Sequence, residues 1–225
     1  MELSTQLNIR PGVTAVIGSG GKTSLLRTLG EELAAQGKRV ILTTSTHIFP
    51  FTGMPCIWGA DEGETAAALE TSHLICCGTP EEKTGKLTAP GLPLSALMKI
   101  ADYVIVEADG SKGLPLKAHG PHEPVIPRES ETVICVVGLS GLGKPLREVC
   151  HRPELYAWLA GAEESDIVTA ETAAAVLNTE NLGTVYVINQ ADTRQQEAEA
   201  KRLGRMLRKP CFIGSIRERR LKCLL

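Results

Sequence analysis

Short apolar runs alternate along the chain with longer stretches in which Leu or Ala returns every three or four positions. Residues 13–17 are the first apolar run. Leu25, Leu26, Leu29 and Leu33 follow at helical spacing, which predicts a helix over 22–36 with one buried face, stopped by Gly37. Further strands are expected at 39–43, 56–58, 73–77, 103–106, 132–138, 184–188 and 210–213. Helices are expected at 65–69, at 94–100, along the apolar face of Leu155, Trp158 and Leu159, at 169–177 and at 194–208. Residues 50–60 read as loop, 81–91 as a loop or small hairpin, and 217–225 as a basic, frayed tail. Strands alternating with helices predict one α/β domain over residues 1–225, a mostly parallel sheet with helices on both faces. Within it, the first strand–helix–strand unit predicts a parallel pair with a right-handed crossover.

The first strand breaks into Gly18, Ser19, Gly20 and Gly21, followed by Lys22, Thr23 and Ser24 at the head of the helix. Strand, glycine loop, Lys-Thr and helix make a phosphate-binding arrangement. Glycines let backbone N–H groups approach an anion, and the helix start adds its positive dipole end. Lys22 is expected on the outer phosphates and the Thr23 hydroxyl on Mg²⁺. The loop is short, G-x-x-G-K-T, with Val16 where the common pattern has its first glycine. A literal G-x-x-x-x-G-K stands at 138–144, but Pro145 follows it. Pro supplies no hydroxyl for a metal and no N–H for a phosphate, so this second loop reads at most as a neighbour of the substrate.

Two further strand ends carry chemistry. The run 103–106 leads into Glu107, Ala108, Asp109 and Gly110, with Glu107 and Asp109 spaced to share a side of an extended chain. One of these carboxylates is expected to hold Mg²⁺ or to activate a nucleophile. The strand 39–43 runs into Thr44, Ser45, Thr46 and His47, and Thr44 is a candidate to complete the metal shell. At 188–192 the chain reads INQAD. Asn189 and Asp192 are the pair that would read guanine, Asp192 by accepting from its N–H groups, which favours GTP slightly over ATP. A helix cap at Asp192 is the plainer reading. The proline-punctuated segment 111–128 reads as a lid or substrate loop, with Lys112 and Lys117 able to reach phosphates. His119, His122 and Glu123 within it give only a weak metal pattern, because no helix fixes their geometry.

Composition narrows the classes. Aromatics are 4% and net charge is −2, which argues against a nucleic-acid partner. Nine Lys/Arg against one acidic residue over 201–225 is the one uneven stretch. Seven cysteines without a C-x-x-C pair read as buried free thiols in a reducing compartment. No leader pattern and no membrane-length apolar run is seen, so a soluble, cytoplasmic protein is expected.

The motifs together resemble a known family, the selenium-dependent hydroxylase accessory proteins often called YqeC. The resemblance is carried by VIGSGGKTS at 16–24, TTSTHI at 43–48, VIVEADGSKGLPLKAHGPHEPVIP at 104–127, GLGKPL at 141–146, HRPE at 151–154 and INQAD at 188–192. Ser140-Gly141 and the short basic end after Gly214 depart from it. The short glycine loop is also similar to that of Mur-type amide ligases. A P-loop NTPase-like three-layer sandwich is the fold implied. The activity implied is Mg²⁺-dependent GTP or ATP binding with slow hydrolysis, in the maturation of selenium-dependent molybdenum hydroxylases. The partner would be such a hydroxylase or a cofactor-handling protein. A kinase or ligase acting on a small acid, and a nucleotide-binding chaperone without turnover, are the alternatives.

Overall fold

The computed structural model describes residues 1–58 and 61–224. The loop expectation at 59 and 60, and the tail expectation at Leu225, lie outside the described residues. In chain order the elements are α1 (Leu3–Gln6), β1 (Gly12–Gly18), α2 (Lys22–Ala35), β2 (Val40–Thr44), β3 (Cys56–Ile57), α3 (Glu62–Ser72), β4 (Leu74–Cys77), β5 (Thr79–Glu81), β6 (Lys86–Thr88), α4 (Leu94–Ile100) and β7 (Tyr103–Glu107). There follow β8 (Leu116–Lys117), β9 (Ser130–Gly138), α5 (Leu146–Val149), β10 (Cys150–His151), α6 (Pro153–Ala160), α7 (Ala170–Glu180), β11 (Val185–Asn189), α8 (Arg194–Met206), β12 (Cys211–Ser215) and β13 (Arg220–Leu224). The architecture is the expected α/β type with mostly parallel strands. Contacts group it into two compact units: Met1–Val16, Thr23–Gly110 and Val125–Thr132 in the first, Ile17–Lys22, Ser111–Pro124 and Val133–Leu225 in the second.

In the first unit the parallel order is β1-β7-β2-β4-β3. Strands β2 and β7 are buried at every position, as apolar runs covered on both faces must be. The expected direct pairing of β1 with β2 is corrected: β7 lies between them. Order in a parallel sheet follows from which strands need both faces and both edges covered, and that is not a local property. Gly30 of α2 lets the helix close on this sheet, since a Cβ there would meet Leu74 Cδ1 at 2.9 Å and Leu42 Cδ2 at 3.1 Å. The 81–91 segment resolves as the hairpin option, with β5 paired to β6.

In the second unit β9, β11 and β12 run parallel, and β13 closes the order antiparallel to β12. The frayed tail is thus corrected over 220–224. Its Arg and Lys are the solvent-side charges of an edge strand, while Leu221 is 5% exposed. On α6 the expected inward face is also corrected: Tyr156 and Ala157 are buried, and Trp158 is 76% exposed. Pro153 opens this helix at its first turn, where its missing N–H costs nothing. Helix α7 starts with the reciprocal cap of Thr169 and Thr172. Cys76, Cys77, Cys135, Cys150 and Cys211 are buried thiols. Burial pushes Cys76, Cys150 and Cys211 up to about 12, so they pack as small hydrophobes and are not thiolate nucleophiles. Among the described residues, no helix is long and apolar enough to cross a membrane.

Candidate functional site

The glycine loop belongs to the second unit. Gly20 sits at φ +83°, a conformation that L side chains rarely adopt, and a Cβ there would fall 2.4 Å from Gly138 Cα. The approach is mutual, for a Cβ on Gly138 would lie 2.9 Å from Gly20 Cα. The first glycine of the second loop is therefore explained by packing against the first loop. Ser19 N–H donates to Val136 O at 2.8 Å, and the Ser19 hydroxyl donates to Leu114 O. Asn189 Nδ2 donates to Gly20 O at 2.8 Å, while its Oδ1 accepts from Ile216 N–H at 2.8 Å. Lys22 is buried, and its ammonium donates to Gly18 O at 2.7 Å and Ser111 Oγ at 3.3 Å. The lysine thus folds back over the loop that precedes it.

Thr23, the next residue, belongs to the first unit. Its hydroxyl donates to Glu107 Oε2 at 3.0 Å. Register explains why Glu107 is there: as the last residue of β7 it stands opposite Val16 of β1 on one side and Thr44 of β2 on the other. Thr44 Oγ1 donates to Glu107 O at 2.9 Å and accepts from Thr46 N–H at 3.0 Å, so it fixes the strand end. Thr43 Oγ1 donates to Cys77 O at 2.7 Å. Asp109 is fully buried two residues on, and Ser24 is exposed. Hydroxyl and carboxylate oxygens at hydrogen-bond distance are the hard donors Mg²⁺ takes, with the rest of its shell from phosphate and water. Thr23 and Glu107 fit such an ion. Among the described residues no group of three or more His, Cys, Asp and Glu is placed to hold a metal.

The segment after Gly110 does not hang over a site as a row of free cations. Lys117 lies in β8, paired with β10, and its side chain is fully buried. Its ammonium donates to Glu123 Oε2 at 2.7 Å, and Arg152 Nη1 donates to the same oxygen at 2.7 Å. His119 Nδ1 lies 2.9 Å from Glu180 Oε2, and its backbone N–H donates to Glu180 Oε1 at 2.6 Å. The phosphate role expected for Lys117 is corrected: a buried cation committed to the half-buried Glu123 carboxylate is part of the scaffold. Sequence reading missed this network and Ser111: Arg152, Glu180 and Lys22 lie tens of positions from their partners, and Lys117 and Glu123, six apart, share no helix or strand whose period would pair them. Burial opposes ionisation of Glu123, but the hydrogen bonds from Arg152 and Lys117 outweigh it and bring the carboxyl down to about 2 from 4.5. A carboxyl depressed in the fold stabilises it above the unfolded value, and that contribution is lost as pH falls through the folded one. Melting temperature is therefore expected to fall between about pH 4.5 and about pH 2, and to fall less steeply in Glu123→Gln. Equal slopes for the two proteins in a pH-series thermal melt would sink this assignment.

Asp192 is exposed, 3.8 Å from Arg217 Nη2. The cap of α8 is Thr193, in a reciprocal box with Gln196, so the capping role weighed for Asp192 goes to its neighbour. The second glycine loop continues as a 3-10 turn, Leu139–Gly141, and then pairs its backbone with 166–168. Gly143 N–H donates to Val168 O and Val168 N–H to Lys144 O, both at 2.9 Å. The four-residue α5 that follows begins after Pro145. This is a braced wall and not a phosphate cradle.

Mostly parallel strands joined by helices, with a glycine loop and a buried Lys at the head of α2, define an α/β protein with a phosphate-loop-like turn. The chain belongs to the YqeC protein family, whose model matches residues 14–154. The uncharacterized protein YqeC of Escherichia coli strain K12 is 40% identical over 158 residues, which cover 68% of this chain and 62% of that protein. The chain therefore matches less than two thirds of that relative's length. Among solved structures, FtsY from Mycoplasma mycoides overlaps with a TM-score of 0.45 at 10% identity, over 96% of this chain and 65% of its own. The signal recognition particle 54 kDa protein of Aeropyrum pernix K1, in complex with GDP, gives 0.42 at 13% identity, over 96% and 44%. The MinC:MinD cell division complex of Aquifex aeolicus gives 0.42 at 10%, over 90% and 81%.

Proposed function

We propose that this protein binds a nucleoside triphosphate with Mg²⁺ and hydrolyses it slowly, as an accessory factor in maturing selenium-dependent molybdenum hydroxylases. The observation that carries the nucleotide reading is the Thr23–Glu107 pair at 3.0 Å, one residue beyond a lysine folded over a glycine loop. The maturation role is supported by membership of the family. Lys22 would release Gly18 O and place its charge on the β,γ-phosphates. Thr23 and Glu107 would hold Mg²⁺, which when bound supplies a fixed positive charge against the phosphate oxygens. Glu107 or Asp109 would orient and deprotonate the attacking water, and Thr44 would keep the Glu107 backbone in place. Gly18, Gly20, Gly21 and Ser24 would form the rest of the phosphate cradle, and Ser19 would brace it through its N–H on Val136 O and its hydroxyl on Leu114 O. Asn189 would hold the loop through Gly20, leaving Asp192 as the base-reading residue and GTP slightly favoured.

A thermal-shift panel of MgGTP and MgATP tests this. A ligand near a hundredfold of its Kd is expected to raise melting by about 5–10 °C in a chain of this size. Asp192→Asn should cut the GTP shift and leave the ATP shift intact. No shift with either nucleotide would remove the reading, and equal loss of both in Asp192→Asn would remove the guanine assignment. Single-domain organisation over 1–225 is part of the proposal, and one cooperative transition in the same scans is its check. Phosphate release in the presence of a molybdenum hydroxylase separates hydrolysis from a chaperone that binds without turnover.

A further inference from the structure

The second glycine loop has no part in the nucleotide reading, yet it forms one wall of a cavity of about 560 Å³ inside the second unit. That volume falls among small-molecule sites, which run from about 300 to 1,000 Å³. Leu139, Leu142, Ile167 and Val168 give the lining its apolar part. Lys144, Glu199 and Arg202 give it charge. Arg202 is already engaged, 2.5 Å from Glu171 Oε1. Lys144 and Glu199 form no ion pair among the described residues.

The cavity walls are braced before any ligand arrives. The loop pairs with 166–168 through the Gly143–Val168 and Val168–Lys144 hydrogen bonds and the Pro145–Ile167 bridge. Ser140 N–H donates to Gln190 Oε1 at 3.1 Å, and the first turn of α8 is held by its capping box. Ile167 remains 48% exposed in spite of this bracing. A pre-formed apolar cleft with one uncommitted cation and one uncommitted carboxylate selects its ligand by complementarity.

We propose that this cavity binds a small organic acid with an apolar body, its anionic group toward Lys144 and an N–H donor toward Glu199. The site is separate from the glycine loop at 18–22, and its occupation does not depend on nucleotide. The inference therefore stands or falls apart from the nucleotide reading.

The probe is 8-anilinonaphthalene-1-sulfonate, which has an apolar body, an N–H and a negative charge. N-phenyl-1-naphthylamine, lacking the sulfonate, is its neutral counterpart. Fluorescence titration of the full chain should give one saturable site that prefers the sulfonate. Ile167→Asp puts a carboxylate into the apolar wall at a half-exposed position, and should weaken both probes about tenfold. Lys144→Ala should remove the preference for the sulfonate and leave the neutral probe unchanged, a change of about two- to fivefold for a solvent-exposed charge pair. Lys22→Ala should leave both titrations as they are. Absence of saturable binding, equal affinity for the two probes, or an unchanged Kd in Ile167→Asp would each overturn the proposal.

Discussion

Lys22→Ala is expected to abolish nucleotide binding, with affinity falling at least a hundredfold. The side chain is buried and already curled over the loop, so its ammonium has little conformational freedom left to lose when phosphates arrive. Hydrogen bonds from a charged donor are worth about 1.5–3 kcal/mol each, and two of them account for about a hundredfold or more. Removal also leaves the Gly18 carbonyl without this donor, so the variant should melt somewhat lower even without ligand. Lys22→Arg is not expected to restore binding: a planar fork of five donors does not replace a point charge in a loop closed this tightly. Titration calorimetry with MgGTP and MgATP decides the matter. Wild-type affinity in Lys22→Ala would end the phosphate-loop reading.

The largest stability effect is expected from Gly20→Ala, about 2–4 kcal/mol, from strain at a left-handed φ together with overpacking. For a chain of this length that corresponds to a melting point lower by about 4–16 °C. Two comparisons separate the terms. Gly85 has φ +67° at the tip of the β5–β6 hairpin, and a Cβ added there would meet nothing within 4 Å, so Gly85→Ala should show the backbone term alone, about 1–2 kcal/mol. Gly138 has no positive φ, so Gly138→Ala should show the steric term alone, from a Cβ 2.9 Å from Gly20 Cα. Nucleotide binding should fail in Gly20→Ala and survive in Gly85→Ala. If Gly20→Ala melts within about a degree of Gly85→Ala, the packing of the two glycine loops is not what fixes the site.

The candidate site was legible where chemistry is written in consecutive residues. Gly18 to Thr23, Glu107 and Asn189 each stand at the end of an apolar run, a pattern set within a few residues. What was not legible depended on partners that no local period brings together. Lys117 reads as a mobile cation until Glu123 and Arg152 are seen on it. The motif does not say which backbone Asn189 holds; only the fold puts its amide on Gly20 and Ile216. The literal phosphate-loop match at 138–144 reads as a competing site until Gly138 is found pressed on Gly20.

By itself the sequence determined the longer helices, the apolar strands and the short glycine loop with its Lys-Thr. Periodicity and glycine placement act over a few residues, where backbone sterics and solvent decide locally. Only the tertiary structure decided that β7 lies between β1 and β2, which sets Glu107 between Val16 and Thr44. It alone made 220–224 an edge strand, turned Trp158 outward and opened a braced cavity behind the second loop. These follow from which surfaces must share a core, a balance struck among residues far apart in the chain.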